Sequence, residues 1–252
     1  MFPVIQIGPL SLQAPGLILL IGIWIGLTIA ERLAPRFGVT PNQLYNLVFI
    51  ILISGLIGAR LSYVLQYFSV FYQSPLNLFS LNPGLLDPLG GAAIGLIVGA
   101  IYVNRKQIPT WPALDAISPF LAVMWIALGL SNLASGKAFG VETQLAWGID
   151  LWGATRHPTQ VYQMLAGVFI LAIIWPRGQA TTPGKREPGE TFGFFLALST
   201  GAWLIIETFR GDSNLLAGGV RTAQVAAWIG LAISLWFLGW VKKKSNHAAK
   251  RV

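Results

Sequence analysis

Cysteine is absent from the 252 residues. That excludes a disulfide framework, a thiolate metal site and a cysteine nucleophile. Charge is scarce as well: Asp, Glu, Lys and Arg make up 10% of the chain, against roughly 25% in a soluble domain, so an ordinary water-soluble globule is ruled out. Histidine is nearly missing. There are two, His157 and His247, the second within the basic C-terminal stretch. Imidazole chemistry therefore has one candidate in the body of the chain, and neither a metal centre nor a cofactor is expected. The opening "MFPVIQIGPLSLQAPG" carries no basic segment. It does not read as a cleaved signal, and the first apolar run is expected to serve as its own insertion signal.

What the chain has in quantity is hydrocarbon, 54% of its residues. A bilayer-spanning helix takes about 20 mostly apolar residues. Apolar runs lie near residues 16–30, 46–66, 90–103, 116–134, 159–175, 191–208 and 222–240. They predict an all-α, polytopic membrane protein with seven transmembrane helices over residues 1–241, followed by a basic tail at 242–252. Several runs are short, so the third and fourth are expected to be tilted or partly interfacial. Stretches such as "LISGLIGARL" and "GGAAIGLIVGA" are rich in glycine, and small residues let helix backbones approach closely in lipid. Segment 178–190, "GQATTPGKREPGE", reads as a linker. There is no internal repeat and no soluble domain.

The formal charge of +8 is not distributed as a nucleic-acid footprint. Arg32, Arg36, Arg105, Lys106, Arg177, Lys185, Arg186, Lys242, Lys243, Lys244, Lys250 and Arg251 fall in one set of alternating loops plus the tail. Lys137, Arg156, Arg210 and Arg221 fall in the other. Twelve against four places the first set in the cytoplasm. Seven spans then put the N-terminus outside and the C-terminus in the cytoplasm. The outward loops 67–89 and 135–158 are the longer ones and are expected to form a small extracytoplasmic cap.

Ionisable residues in or beside the spans are few. Arg60 lies within the second run, where a cation costs at least ~2.5–3.5 kcal/mol on insertion scales and needs a partner or a polar cavity. Glu207, at the end of the sixth run, is the obvious partner. The two either tie helices together, or Arg60 faces an anionic lipid phosphate. Arg210 and Asp212 follow Glu207 as a solvated helix end or as part of such a site. In "WGATRHPTQVYQ", Arg156 and His157 precede Pro158, which fits the first helical position. His157 would then stand near a helix N-terminus, a place that attracts anions.

The pieces "GARLSYVLQY", "RHPTQVYQ" and "ETFRGD", in that order along seven spans, resemble the bacterial prolipoprotein diacylglyceryl transferases. "IGPLSL", the Gly90-Gly91 opening and "SNLASGKAFG" resemble that family too. The Arg-His-Pro-Thr-Gln-x-Tyr run is the most specific. The resemblance implies transfer of a diacylglyceryl group from phosphatidylglycerol to the lipobox cysteine thiol of a lipoprotein precursor. Carried over residue by residue, it implies phospholipid-binding roles for Arg60, Tyr63, Asn132, Arg156 and Arg210, and catalytic roles for His157 and Glu207. The chain also departs from the family pattern. Gln13, Ala14, Pro15 and Gly16 stand where the family has His-x-Tyr-Gly. Leu89 replaces the histidine of His-Gly-Gly. Gly129 and Trp203 replace arginines, Lys137 an acid and Gln163 a glutamate.

Two functions follow. One is a working diacylglyceryl transferase, with His157 as the available base and Arg60, Arg156, Arg210 or Arg221 holding phosphate. The other is a catalytically silent relative that binds lipid or serves as a subunit of a membrane complex. A transporter is disfavoured, because intramembrane ionisable residues are too few for a proton relay and no paired broken helices are apparent.

Overall fold

A computed structural model describes residues 4–7, 10–73, 76–77, 80, 83–176, 186–216 and 219–249. Arg177, Lys185, Lys250, Arg251, most of the linker read at 178–190 and Gly8-Pro9 of "IGPLSL" lie outside the described residues.

The described chain is mostly helical. Its helices are α1 (Ala14–Leu33), α2 (Pro41–Gln66), the short α3 (Phe68–Gln73), α4 (Pro88–Arg105), α5 (Thr110–Ser135), α6 (Thr159–Ile174), α7 (Glu190–Glu207) and α8 (Thr222–Ala249). Five of them, namely α1, α2, α4, α5 and α8, are long and apolar enough to cross a membrane, and α6 is a shorter apolar helix. α5 is the central element. Buried residues make up 61% of its apolar window, against 22–28% in the other four. It packs against α1 and α6; α2 packs against α4, and α7 against α8 and α6.

The local chemistry explains the boundaries. Thr40 and Gln43 form a reciprocal capping box at the start of α2, satisfying two of the free N–H groups of that helix end. The Asp87 carboxylate accepts from the N–H groups of Leu89 and Gly90 and so starts α4. Gly136 ends α5 in the left-handed region at φ 71°, where a side chain would be strained. On the face that the charge pattern assigns to the cytoplasm, Arg36 donates to the Pro176 carbonyl at 2.9 Å and Arg186 to that of Ile173 at 2.6 Å. These cations meet the negative end of the α6 dipole.

The fourth apolar run is longer than expected. α5 has 26 residues, about 39 Å at ~1.5 Å per residue, enough to cross a bilayer core with tilt. Asp115 had cut the run short in the sequence. In the fold its buried carboxylate accepts from the Gly189 and Phe192 N–H groups at 2.6 and 2.8 Å, so a residue of α5 caps α7.

Two short antiparallel hairpins add to the helices expected from sequence: β1 (Val4–Ile7) with β2 (Leu10–Gln13), and β3 (Ile149–Leu151) with β4 (Ala154–Arg156). The second turns at Trp152 and Gly153, both left-handed at φ 55° and 78°, the primed geometry that matches strand twist. Trp152 is held there by its indole N–H, which donates to the Gly136 carbonyl at 3.0 Å. This hairpin belongs to a cap over the ends of three helices. His157 N donates to Val141 O, Val141 N to Phe209 O and Gly211 N to Phe139 O. The strand-like segment 139–143 is thus clamped between the start of α6 and the segment after α7.

Candidate functional site

The site builds from that cap. A side chain at Gly140 would stand 2.6 Å from the His157 Cβ, so glycine alone lets segment 139–143 lie against His157. The imidazole lies beside the first turn of α6. Its Nδ1 lies 3.2 Å from the Tyr162 hydroxyl, which accepts from the Trp147 indole N–H at 3.0 Å. Phe209 lies against the ring, 5.0 Å between centroids. Pro158 sits one residue before the first turn of α6, and neither Arg156 nor His157 caps the helix with its side chain. Pro158, expected at the first helical position, thus stands one place earlier, and the Arg156-His157 pair belongs to the cap.

His157, Tyr162, Ala202, Ile206 and Phe209 line an open apolar cleft of about 450 Å³ between α6 and α7. Ile206 also lines a second, smaller pocket of about 200 Å³, with Trp125, Asn132, Trp203 and Arg210. Glu207 is fully buried beside them. It accepts a hydrogen bond from the Ser213 hydroxyl, and its other oxygen lies 3.6 Å from Arg210. Arg210 is held more closely by Asp212, at 2.8 Å. Arg221 donates to the Glu207 carbonyl.

The expected partnership of Arg60 with Glu207 does not form. Arg60 donates to the backbone carbonyls of Leu85 and Asn77, between α2 and α4, and lies 5.7 Å from the Phe71 ring centroid. These carbonyls, from the segment between α3 and α4, offset the cost of the cation. Tyr63 lies tilted against Tyr67 and edge-on to Phe71 in the same region. The fold therefore gathers Asn132, Arg156, His157, Glu207 and Arg210 around the ends of α5, α6 and α7, and sets Arg60 and Tyr63 in an aromatic cluster with α3.

Arg156 is committed to structure. It donates to the Leu151 and Gly140 carbonyls, pairs with Glu142 at 3.2 Å and lies over the Phe139 ring. The substituted positions are equally informative. A Cβ at Gly129 would stand 2.8 Å from Met164 Cγ and 3.0 Å from the Gln160 carbonyl oxygen, so α6 occupies the space a longer side chain would need. Trp203 fills one wall of the smaller pocket. Leu89 is 82% exposed.

Asp87 went unnoticed in the sequence. Its carboxylate accepts from Ser62 at 2.6 Å and Gln66 at 2.9 Å besides capping α4. The Ser62 hydroxyl above all, then the Gly90 and Leu89 N–H groups and Gln66, hold its pKa below the ordinary 3.8 against a smaller opposing effect of desolvation. An Asp-Pro before an apolar run is a helix-start signal that would have found it. Among the described residues no group of His, Asp and Glu is arranged to hold a metal ion.

Sequence comparison agrees with the resemblance seen in the motifs. Residues 3–240 match the family described as prolipoprotein diacylglyceryl transferase. A phosphatidylglycerol–prolipoprotein diacylglyceryl transferase from Nostoc sp. is 28% identical, the alignment covering 94% of this chain and 88% of the relative. One from Clostridioides difficile is 28% identical over 92% of each chain, and one from Geobacter sulfurreducens is 30% identical over 88% of each. With a match that runs almost from end to end, this chain belongs to the prolipoprotein diacylglyceryl transferase family.

Proposed function

We propose that this chain is a glycerolipid-binding member of the family that has lost transfer from phosphatidylglycerol. It would sit in the bacterial plasma membrane with seven spans, α1, α2 and α4 to α8, the N-terminus outside and the C-terminal basic tail in the cytoplasm. The loop charges support that orientation. It puts the cap, the cleft and the smaller pocket at the outer leaflet, where Asn132, Arg210 and Tyr63 would meet a lipid headgroup.

The observation that carries the loss of transfer is Gly129. The resemblance places an arginine there, and the packing of Met164 and Gln160 leaves no room for one. The remaining cations do not replace it. Arg60 and Arg156 give hydrogen bonds to backbone carbonyls, and a guanidinium so held is not available to neutralise a departing glycerol phosphate. Purified protein, a lipobox peptide and phosphatidylglycerol vesicles provide the test, with the Clostridioides relative assayed in parallel. No lipidated peptide above background is expected from this chain. Transfer within about tenfold of the relative, a barrier difference under ~1.4 kcal/mol, would overturn the proposal.

One observation favours a second reading, an active transferase. The His157 imidazole stands on the wall of the apolar cleft with Tyr162 within hydrogen-bond reach, a placement that suits a base for a thiol. On that reading His157→Ala would keep the protein folded and abolish transfer. On the lead reading it keeps the fold and there is no transfer to lose.

A further inference from the structure

The smaller pocket, about 200 Å³ between the outer ends of α5, α6 and α7, has room for roughly six waters at ~30 Å³ each. Arg210 is the charged side chain on its lining. Its Nε and one terminal nitrogen go to Asp212, and the other terminal nitrogen lies nearest Glu207. One guanidinium between two carboxylates has no positive charge to spare. A phosphate oxygen brought there would meet the oxygens of Glu207 and Asp212. Lys137 and Arg221 lie nearby but off the lining.

The polar groups that are not spoken for are uncharged. The half-buried Asn132 amide hydrogen-bonds to no described residue. The Trp125 indole N–H on the lining is buried without a partner. A phosphate only accepts hydrogen bonds and leaves the Asn132 amide oxygen unserved; a hydroxyl both donates and accepts, and so suits the amide and the indole N–H together. Buried polar groups left unpaired are costly, so the pocket is built for hydroxyl groups. The apolar cleft shares the Ile206 wall and offers adjoining space for an acyl chain.

We propose that this pocket takes the uncharged polyhydroxyl headgroup of a glycosyl diacylglycerol in preference to an anionic phosphate headgroup. The proposal rests on the lipid-binding reading above and names its lipid class. The test is native mass spectrometry of the full chain, delipidated in detergent and offered equimolar monogalactosyl diacylglycerol, phosphatidylglycerol and diacylglycerol. The galactolipid is expected to be retained over both others. Asn132→Leu and Trp125→Phe, each removing one neutral hydrogen-bonding group, should lower galactolipid retention about fivefold and so narrow its lead over phosphatidylglycerol. Phosphatidylglycerol held equally or better would overturn the headgroup assignment and leave the lipid-binding reading standing. Diacylglycerol held as well as the galactolipid would also remove the headgroup's role. Displacement by free galactose would turn the site into one for a soluble sugar. Retention of none of the three would overturn this proposal together with the reading beneath it.

Discussion

At the scale of single residues, the arginines separate by what they touch. Arg60 and Arg156 spend their donors on carbonyls of the same chain, and Arg210 lies between acids. Asp87 gives the residue scale a measurable pH response. Its pKa is lower in the fold than the 3.8 of the free side chain, chiefly through the Ser62 hydroxyl. Its contribution is therefore fully present above 3.8 and is lost as the pH falls through the depressed folded value. In acid titrations of thermal stability, the wild type should begin to lose this increment only below 3.8. Asp87→Asn should lack that acid-linked fall, and Ser62→Ala should reduce it, because the native proton affinity moves back toward the unfolded one. Equal acid dependence in wild type and Asp87→Asn would remove Asp87 from the account. Motif likeness marked the Arg156-His157 pair, Glu207 and Arg210 in the sequence because they keep short, ordered spacings. It could not mark Asp87 or Trp125, whose significance comes from groups far along the chain.

Among elements, the helices were the most legible part, because continuous hydrocarbon declares a buried or lipid-facing helix. The errors came where a polar residue interrupts the run, or where backbone geometry overrides residue preference. Asp115 shortened α5 on paper by serving α7. The β3–β4 turn escaped notice because tryptophan, rather than asparagine or aspartate, takes its first left-handed position. Glycine-rich runs read as close-contact surfaces, and at Gly91 an added Cβ would stand 2.7 Å from the Gly55 carbonyl oxygen across α2 and α4. Which helix would be the partner was not readable from composition. The α5–α6 contact makes its own prediction. Gly129→Arg, which restores the family's residue type, should lower stability by about 1–3 kcal/mol or more, the cost of overpacking. It should also give no transfer in the vesicle assay. A variant that melts like wild type and transfers lipid would show that α6 yields easily.

For the whole molecule, the overall plan of several apolar helices joined by short polar segments was legible because the bilayer constrains composition directly. The two pockets were not, since their walls come from segments that are distant in the chain. The joint between α5–α6 and α7–α8 is held at both ends of α7 by described residues of other elements. Asp115 takes the start of α7 on one side, and segment 139–143 takes its end on the other. We predict that these two anchors suffice to hold the halves together when the chain is cut between Pro176 and Arg186. Fragments 1–180 and 181–252, expressed together in one cell, should co-purify as a stoichiometric pair. Asp115→Ala should weaken that self-complementation far more than it weakens the uncut protein, because only the severed version must find its other half by diffusion in the plane of the bilayer.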